Sequence, residues 1–111
     1  MIEILEAVAM MDRIIAQEVV NNDKAGPEEI AKIVKARIDG VEEVQGLLSC
    51  IPMEHIKNLV RKKMKINELM TFLGDPEGRD KEIRKELLDI DRDIQKTRPN
   101  FLVREVNPSR N

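Results

Sequence analysis

The chain has 111 residues, of which 36% are charged and only 2% are aromatic. Its 19 Lys and Arg stand against 21 Asp and Glu, and a net charge of −2 excludes the strongly basic balance of a dedicated nucleic-acid coat protein. Cys50 is the one cysteine, which excludes an intramolecular disulfide and indicates a reducing, cytoplasmic environment. The amino terminus is acidic and no apolar run is long enough for a membrane span, so we expect neither secretion nor membrane insertion.

Apolar residues recur at steps of three and four from Ile4 to Ile94, which places them on one face of successive helices. This spacing predicts an all-α fold, a small bundle of about four helices. We expect one bundle domain over residues 1–97 and a short extended C-terminal tail over 98–111. The Phe101–Val103 run in the tail is apolar enough that we expect it to dock on the bundle or on a neighbouring chain.

The first predicted helix covers residues 2–20 and has an unusually wide apolar arc. Its central stripe consists of Ile4, Val8, Met11 and Ile15. Because few polar residues remain on this helix and the core lacks aromatic side chains, we expect this stripe to mediate self-association. The sequence therefore predicts a homo-oligomer.

The second helix is predicted to begin at Gly26 and Pro27, since proline suits the first turn of a helix. Its apolar pattern continues to Ile51, which favours one helix through Gly40 and Gly46, with a break at Gly40 as the alternative. A third helix is predicted over 53–73 and a turn over 74–78. The last helix, about 79–97, has a narrow apolar stripe and is expected to pack on one side only.

Two groups of cations suggest a site that binds a polyanion or an acidic protein. The third helix carries Lys57, Arg61, Lys62, Lys63 and Lys65, and the last helix carries Arg79, Lys81, Arg84 and Lys85. Residues 66–87 resemble a helix-turn-helix motif in their spacing, with the last helix as the recognition helix, although the turn is longer and Asp75 replaces an apolar turn residue. DNA is therefore a possible partner, while solvated surface charge is the simpler interpretation.

A second pattern is acidic, because four carboxylates of the last helix share one face at steps of four, three and four. These residues are Glu82, Glu86, Asp89 and Asp93. Such oxygen ligands would suit magnesium in a nucleotide hydrolase, but a matching second acidic helix is missing, and ordinary surface ion pairs explain them better. We expect His55 on a helix surface and Cys50 in the core as a small hydrophobic residue.

The sequence thus predicts a non-catalytic interaction protein that acts as a helical homo-oligomer and needs no cofactor. It would be an adaptor, inhibitor or assembly factor of the kind that phages and mobile elements encode, with a protein partner. The alternative is a DNA-binding transcriptional regulator that uses residues 66–87. A metal-dependent nucleotide hydrolase is a distant third interpretation.

Overall fold

The computed structural model describes residues 3–41, 46 and 48–99 and contains four helices in that part of the chain. They are α1 (Ile4–Asn21), α2 (Pro27–Asp39), α3 (Met53–Thr71) and α4 (Arg79–Thr97). The all-α prediction is confirmed, and the first, third and last helices lie where the sequence predicts them. The predicted tail lies, from residue 100 onwards, outside the described residues.

The second helix ends at Asp39, so the prediction of one helix through Gly40 was wrong and the predicted alternative, a break there, is what the structure has. Gly40 adopts ordinary right-handed geometry with φ −84° and ψ −5°. Its amide and that of Val41 bond to carbonyls three residues back, which tightens and ends the last turn. Glycine has low helix propensity, and at Gly40 this cost outweighs the apolar pattern that favours continuing the helix.

The main core forms where α1 and α2 meet one face of α3. Its members are aliphatic residues of these three helices together with Leu48 and Ile51 of the preceding connection: Ala7, Met11, Ile14, Ile15, Val19, Ile30, Ala31, Val34, Ile38, Leu48, Ile51, Ile56 and Val60. An ion pair of 2.8 Å between Arg37 Nη1 and Glu18 Oε2 joins α2 to α1 at the edge of this core. α3 is therefore the central helix of the fold.

α4 lies against the other face of α3. Its buried side chains are Ile83, Ile90 and Ile94, and its contacts are made chiefly with α3. Gly74 and Gly78 both have positive φ, at 74° and 77°, in the turn that joins the two helices. The Asp75 carboxylate accepts a hydrogen bond from the Arg79 amide and so satisfies a free donor at the start of α4. The prediction that the last helix packs on one side only is confirmed.

Candidate functional site

The contacts between α3 and α4 run along the whole length of both helices in antiparallel order. His55 meets Thr97, Arg61 meets Asp93, Lys65 meets Glu86 and Glu68 meets Arg79. The position on α4 moves backwards as the position on α3 advances, which defines an αα-hairpin. A helix-turn-helix instead crosses its two helices at about 90–120°. The segment 66–87 therefore does not have the recognition-helix geometry that its spacing suggested.

Four of the nine cations in the two predicted groups form ion pairs within this hairpin. Ion pairs hold Arg61 to Asp93 at 3.3 Å, Lys62 to Asp91 at 2.8 Å and Lys65 to Glu86 at 2.8 Å. Arg79 contacts Glu68 at 2.7 Å and Glu82 at 3.0 Å. The other five cations form no ion pair within the described part of the chain: Lys57 and Lys63 are half-buried, and Lys81, Arg84 and Lys85 are exposed. The structure thus separates the predicted residues into a paired set and an unpaired set.

The paired charges perturb one another in the expected direction. The ion pair with Glu86 raises the pKa of Lys65, and Glu68 adds to this effect. Partial burial would raise the pKa of Glu68, but its bonds from Arg79 and Lys65 outweigh burial and lower it. The Arg79 guanidinium also lies 5.8 Å from the centre of the Phe72 ring. These charged groups therefore connect the two helices of the hairpin.

A cleft of about 410 Å³ lies beside this network, between the start of α2 and the hairpin. It is lined by Pro27, Arg61, Met64, Lys65, Glu68, Glu86, Asp89 and Ile90. Every charged group in its lining already has an ion-pair partner; Asp89, for example, contacts Arg92 at 2.8 Å. The cleft consequently offers a ligand no unpaired charge.

The acidic face predicted on the last helix is divided among these ion pairs. Glu82, Glu86 and Asp93 contact cations of the hairpin, and Asp89 contacts Arg92. Among the residues that the structure describes, no three His, Cys, Asp or Glu side chains are grouped closely enough to hold a metal ion. The ion-pair interpretation accounts for all four carboxylates.

His55 and Cys50 are placed opposite to the predictions made for them. His55 is 2% exposed and bonds through Nδ1 to Thr97 Oγ1 at 3.0 Å, so the surface prediction was wrong. His55 is buried because α3 is covered on both sides: α4 packs over the face of α3 that would otherwise be exposed to solvent. Cys50 is exposed, and the core prediction was also wrong there, because Ser49 and Cys50 lie in a turn that directs only the flanking Leu48 and Ile51 inward.

The first-helix stripe predicted for self-association faces the core of its own chain. Met11 is 1% exposed and Ile15 is 3% exposed, while Ile4 and Val8 are half-buried and pack against the same cluster. The wide arc is explained by two neighbours, since α1 packs on both α2 and α3. Met11 and Ile15 are thus unavailable to a second subunit, and self-association itself stays a prediction.

The side of α4 that faces away from α3 carries a row of exposed cations. We call it the outer strip; it consists of Lys81, Arg84, Lys85, Leu88, Arg92, Gln95 and Lys96, all exposed. At 3.6 residues per turn these side chains fall within an arc of about 120°, and the strip is about 22 Å long. Arg92 contacts Asp89, whereas the other four cations form no ion pair with any described residue.

The outer strip contains no carboxylate, and Leu88 lies at its centre with 59% of its surface exposed. The sequence pattern predicts Lys81, Arg84 and Lys85 as binding residues but does not connect them with Leu88, Arg92 and Lys96. The signal in the sequence that indicates the outer strip is the separation of acidic and basic residues around α4. Acids and bases are equally frequent along α4, but the acids lie on the flanks of its buried stripe and the bases lie opposite.

Comparison with family models, with curated proteins and with solved structures gives no match for this chain. None of the helices in the described part of the chain combines the length and apolar character that a membrane span requires.

Proposed function

We propose that this protein is a non-catalytic interaction module that binds an acidic protein partner in the cytoplasm, with the outer strip of α4 as its docking surface. The observation that carries the proposal is the row of five exposed cations around the exposed Leu88, four of which form no ion pair with any described residue. Cations without an internal partner gain the most from a carboxylate that a second molecule supplies. The role would be that of an adaptor, inhibitor or assembly factor.

Leu88 favours a protein partner over a nucleic acid. Interfaces between proteins place apolar anchors near the centre and charged groups at the rim, and the strip has this arrangement, with one leucine among five cations. A phosphate backbone would use the cations and would gain little from the leucine. An amphipathic acidic helix laid along α4 could use both.

The residues at the edges of the outer strip also favour a protein partner over a nucleic acid. Glu82 and Asp89 border it on one side, and Asp80 and Asp91 border it on the other. These carboxylates would repel the phosphates of a duplex that extends beyond the strip, and the chain as a whole is acidic at −2. A single helix from a protein partner is narrow enough to stay between the two edges.

The experiment compares two charge-reversal variants that change the net charge equally. Lys81→Glu/Lys85→Glu alters the strip, and Lys24→Glu/Lys32→Glu alters exposed, unpaired lysines in and next to α2. Tagged versions of each are purified from the native cell after nuclease treatment. We expect a protein that copurifies with the wild type and the α2 control to be lost from the strip variant.

Two results would contradict the proposal. Equal recovery of every partner by the strip variant and the control would show that the outer strip is not the docking surface. Binding of purified protein to duplex DNA that falls steeply with salt and disappears in the strip variant would instead favour the DNA-binding regulator.

A further inference from the structure

The side of α1 that faces away from the core carries an apolar surface of its own. We call it the outer α1 face; it comprises Leu5, Ala9, Asp12, Arg13, Ala16 and Val20. Leu5 is 62% exposed and Val20 is 67% exposed. This face belongs to α1 and is therefore a different surface from the outer strip, which belongs to α4. It is also distinct from the stripe of Ile4, Val8, Met11 and Ile15, which is turned inward.

The spacing of this face suits a second helix. Leu5, Ala9, Ala16 and Val20 follow one another at steps of four, seven and four, which forms a narrow seam along α1. Ala9 and Ala16 separate the two large side chains and allow another backbone to approach closely. A shallow depression lined by Arg13, Ala16, Gln17, Val20 and Asn21 continues the seam at its C-terminal end.

The two charged residues at the middle of the seam are complementary to each other. Consecutive residues of a helix lie 100° apart, so Asp12 and Arg13 flank the seam on opposite sides. Arg13 forms no ion pair with any described residue. Asp12 likewise forms no ion pair with any described residue; partial burial raises the pKa of its carboxyl, and Lys62 of α3, which is paired with Asp91, opposes this in part. Both flanking charges can therefore accept a partner from outside.

The symmetry of a pair of identical helices decides in which orientation a second copy fits this face. In a parallel pair of identical helices, each flank of the seam lies beside the opposite flank of the other copy. Asp12 of each chain would therefore meet Arg13 of the other, which gives two such contacts in the dimer. In an antiparallel pair centred on the same residues, like flanks meet, and Asp12 would face Asp12 while Arg13 faces Arg13. Only the parallel arrangement places opposite charges together while matching Leu5 with Leu5 and Val20 with Val20.

We propose that a second copy of this chain docks on the outer α1 face through a parallel pairing of α1 with α1, which gives a two-fold dimer. The proposal is independent of the proposed function, because it uses a different surface. If both hold, the dimer presents two partner-binding strips.

The first test uses Leu5→Glu/Val20→Lys, which leaves the net charge unchanged. In the parallel dimer each new charge meets its own copy and repels it, so we expect a wild-type dimer and a monomeric variant by analytical ultracentrifugation at micromolar concentration. Met70→Lys, another exposed apolar position, serves as the control and should remain dimeric. A wild-type chain that is monomeric at high micromolar concentration would overturn the proposal. So would a variant that stays dimeric, because the two introduced charges attract each other only in an antiparallel pair.

The second test determines orientation by disulfide formation in a Cys50→Ser background. Ala9→Cys and Ala16→Cys should each form covalent dimers under mild oxidation, because each position meets its own copy across the seam. Ala36→Cys, at an exposed alanine of α2, should not. If the two α1 cysteines form no homodimer separately but crosslink to each other when mixed, the helices pair in the antiparallel sense and the proposed interface is wrong.

Discussion

His55 Nδ1 lies 3.0 Å from Thr97 Oγ1, and this contact joins the first turn of α3 to the last turn of α4. Asn58 Nδ2 reaches the same hydroxyl at 3.4 Å, and Arg61 bonds to Asn58 Oδ1 at 2.8 Å. A buried polar group that lacks its partner costs free energy, so this small network favours one alignment of the two helices. The network therefore holds α3 and α4 together at the end of the hairpin opposite its turn, where no chain connection joins the two helices.

The buried histidine makes stability depend on pH. Burial lowers the pKa of His55, the nearby Arg98 lowers it further, and a hydrogen bond with the Ile94 backbone opposes them in part. The folded state therefore binds this proton less readily than the unfolded state does. We expect the free energy of unfolding to be constant with respect to this group above pH 6.5, the ordinary value, and to fall as the pH drops below it.

Urea denaturation of the wild type and of His55→Gln at pH 7.5 and pH 5.5 checks this prediction. The wild type should lose stability between the two pH values, and the variant should lose less. The carboxylate Glu68, whose pKa is lowered, titrates below this interval and does not confuse the comparison. The same loss in both proteins would exclude His55 as its source.

Core and surface aliphatic residues should differ sharply when they are truncated. Ile56 is completely buried in the cluster between α1, α2 and α3, so Ile56→Ala should lower the free energy of unfolding by about 2–5 kcal/mol. Leu73→Ala, in the exposed turn after α3, should change it by less than about 0.5 kcal/mol. Chemical denaturation measures both, and comparable losses would show that the core is placed wrongly.

The two kinds of glycine in this fold should respond oppositely to alanine. Gly40 has negative φ, and an added Cβ would make only ordinary contacts at 3.5 and 3.6 Å, so Gly40→Ala should be stabilising by about 0.4–1 kcal/mol. Gly78 has φ 77°, where a side chain is strained, so Gly78→Ala should cost about 1 kcal/mol. Thermal unfolding of the two variants would contradict this reasoning if Gly40→Ala were the more damaging change.

The sequence predicted the elements of this fold well and their partners poorly. Helix positions follow from local spacing, and the limits of α4 were predicted within the precision of the pattern. Which face of a helix meets which neighbour depends on tertiary placement. Met11 was assigned to an interface between chains because one helical stripe cannot show that α2 and α3 both cover it.

The candidate site shows the same limit. The basic run from Lys57 to Lys65 is conspicuous in sequence, but the antiparallel packing of α4 brings carboxylates to three of its five cations. The outer strip is less conspicuous, because its cations alternate along the chain with acids that face the hairpin. Only the direction in which α4 packs separates the two sets.

The most direct test of the proposed function is the affinity of the copurified protein partner for Leu88→Ala. Leu88 is exposed, so the substitution leaves the fold intact, yet it removes the apolar centre of the outer strip. We expect at least about a fivefold loss of affinity by titration calorimetry, the effect of about 1 kcal/mol at an interface anchor. Met70→Ala, which truncates a similarly exposed side chain of α3, should bind like the wild type. Unchanged affinity for Leu88→Ala, or an equal loss in both variants, would contradict docking on this strip.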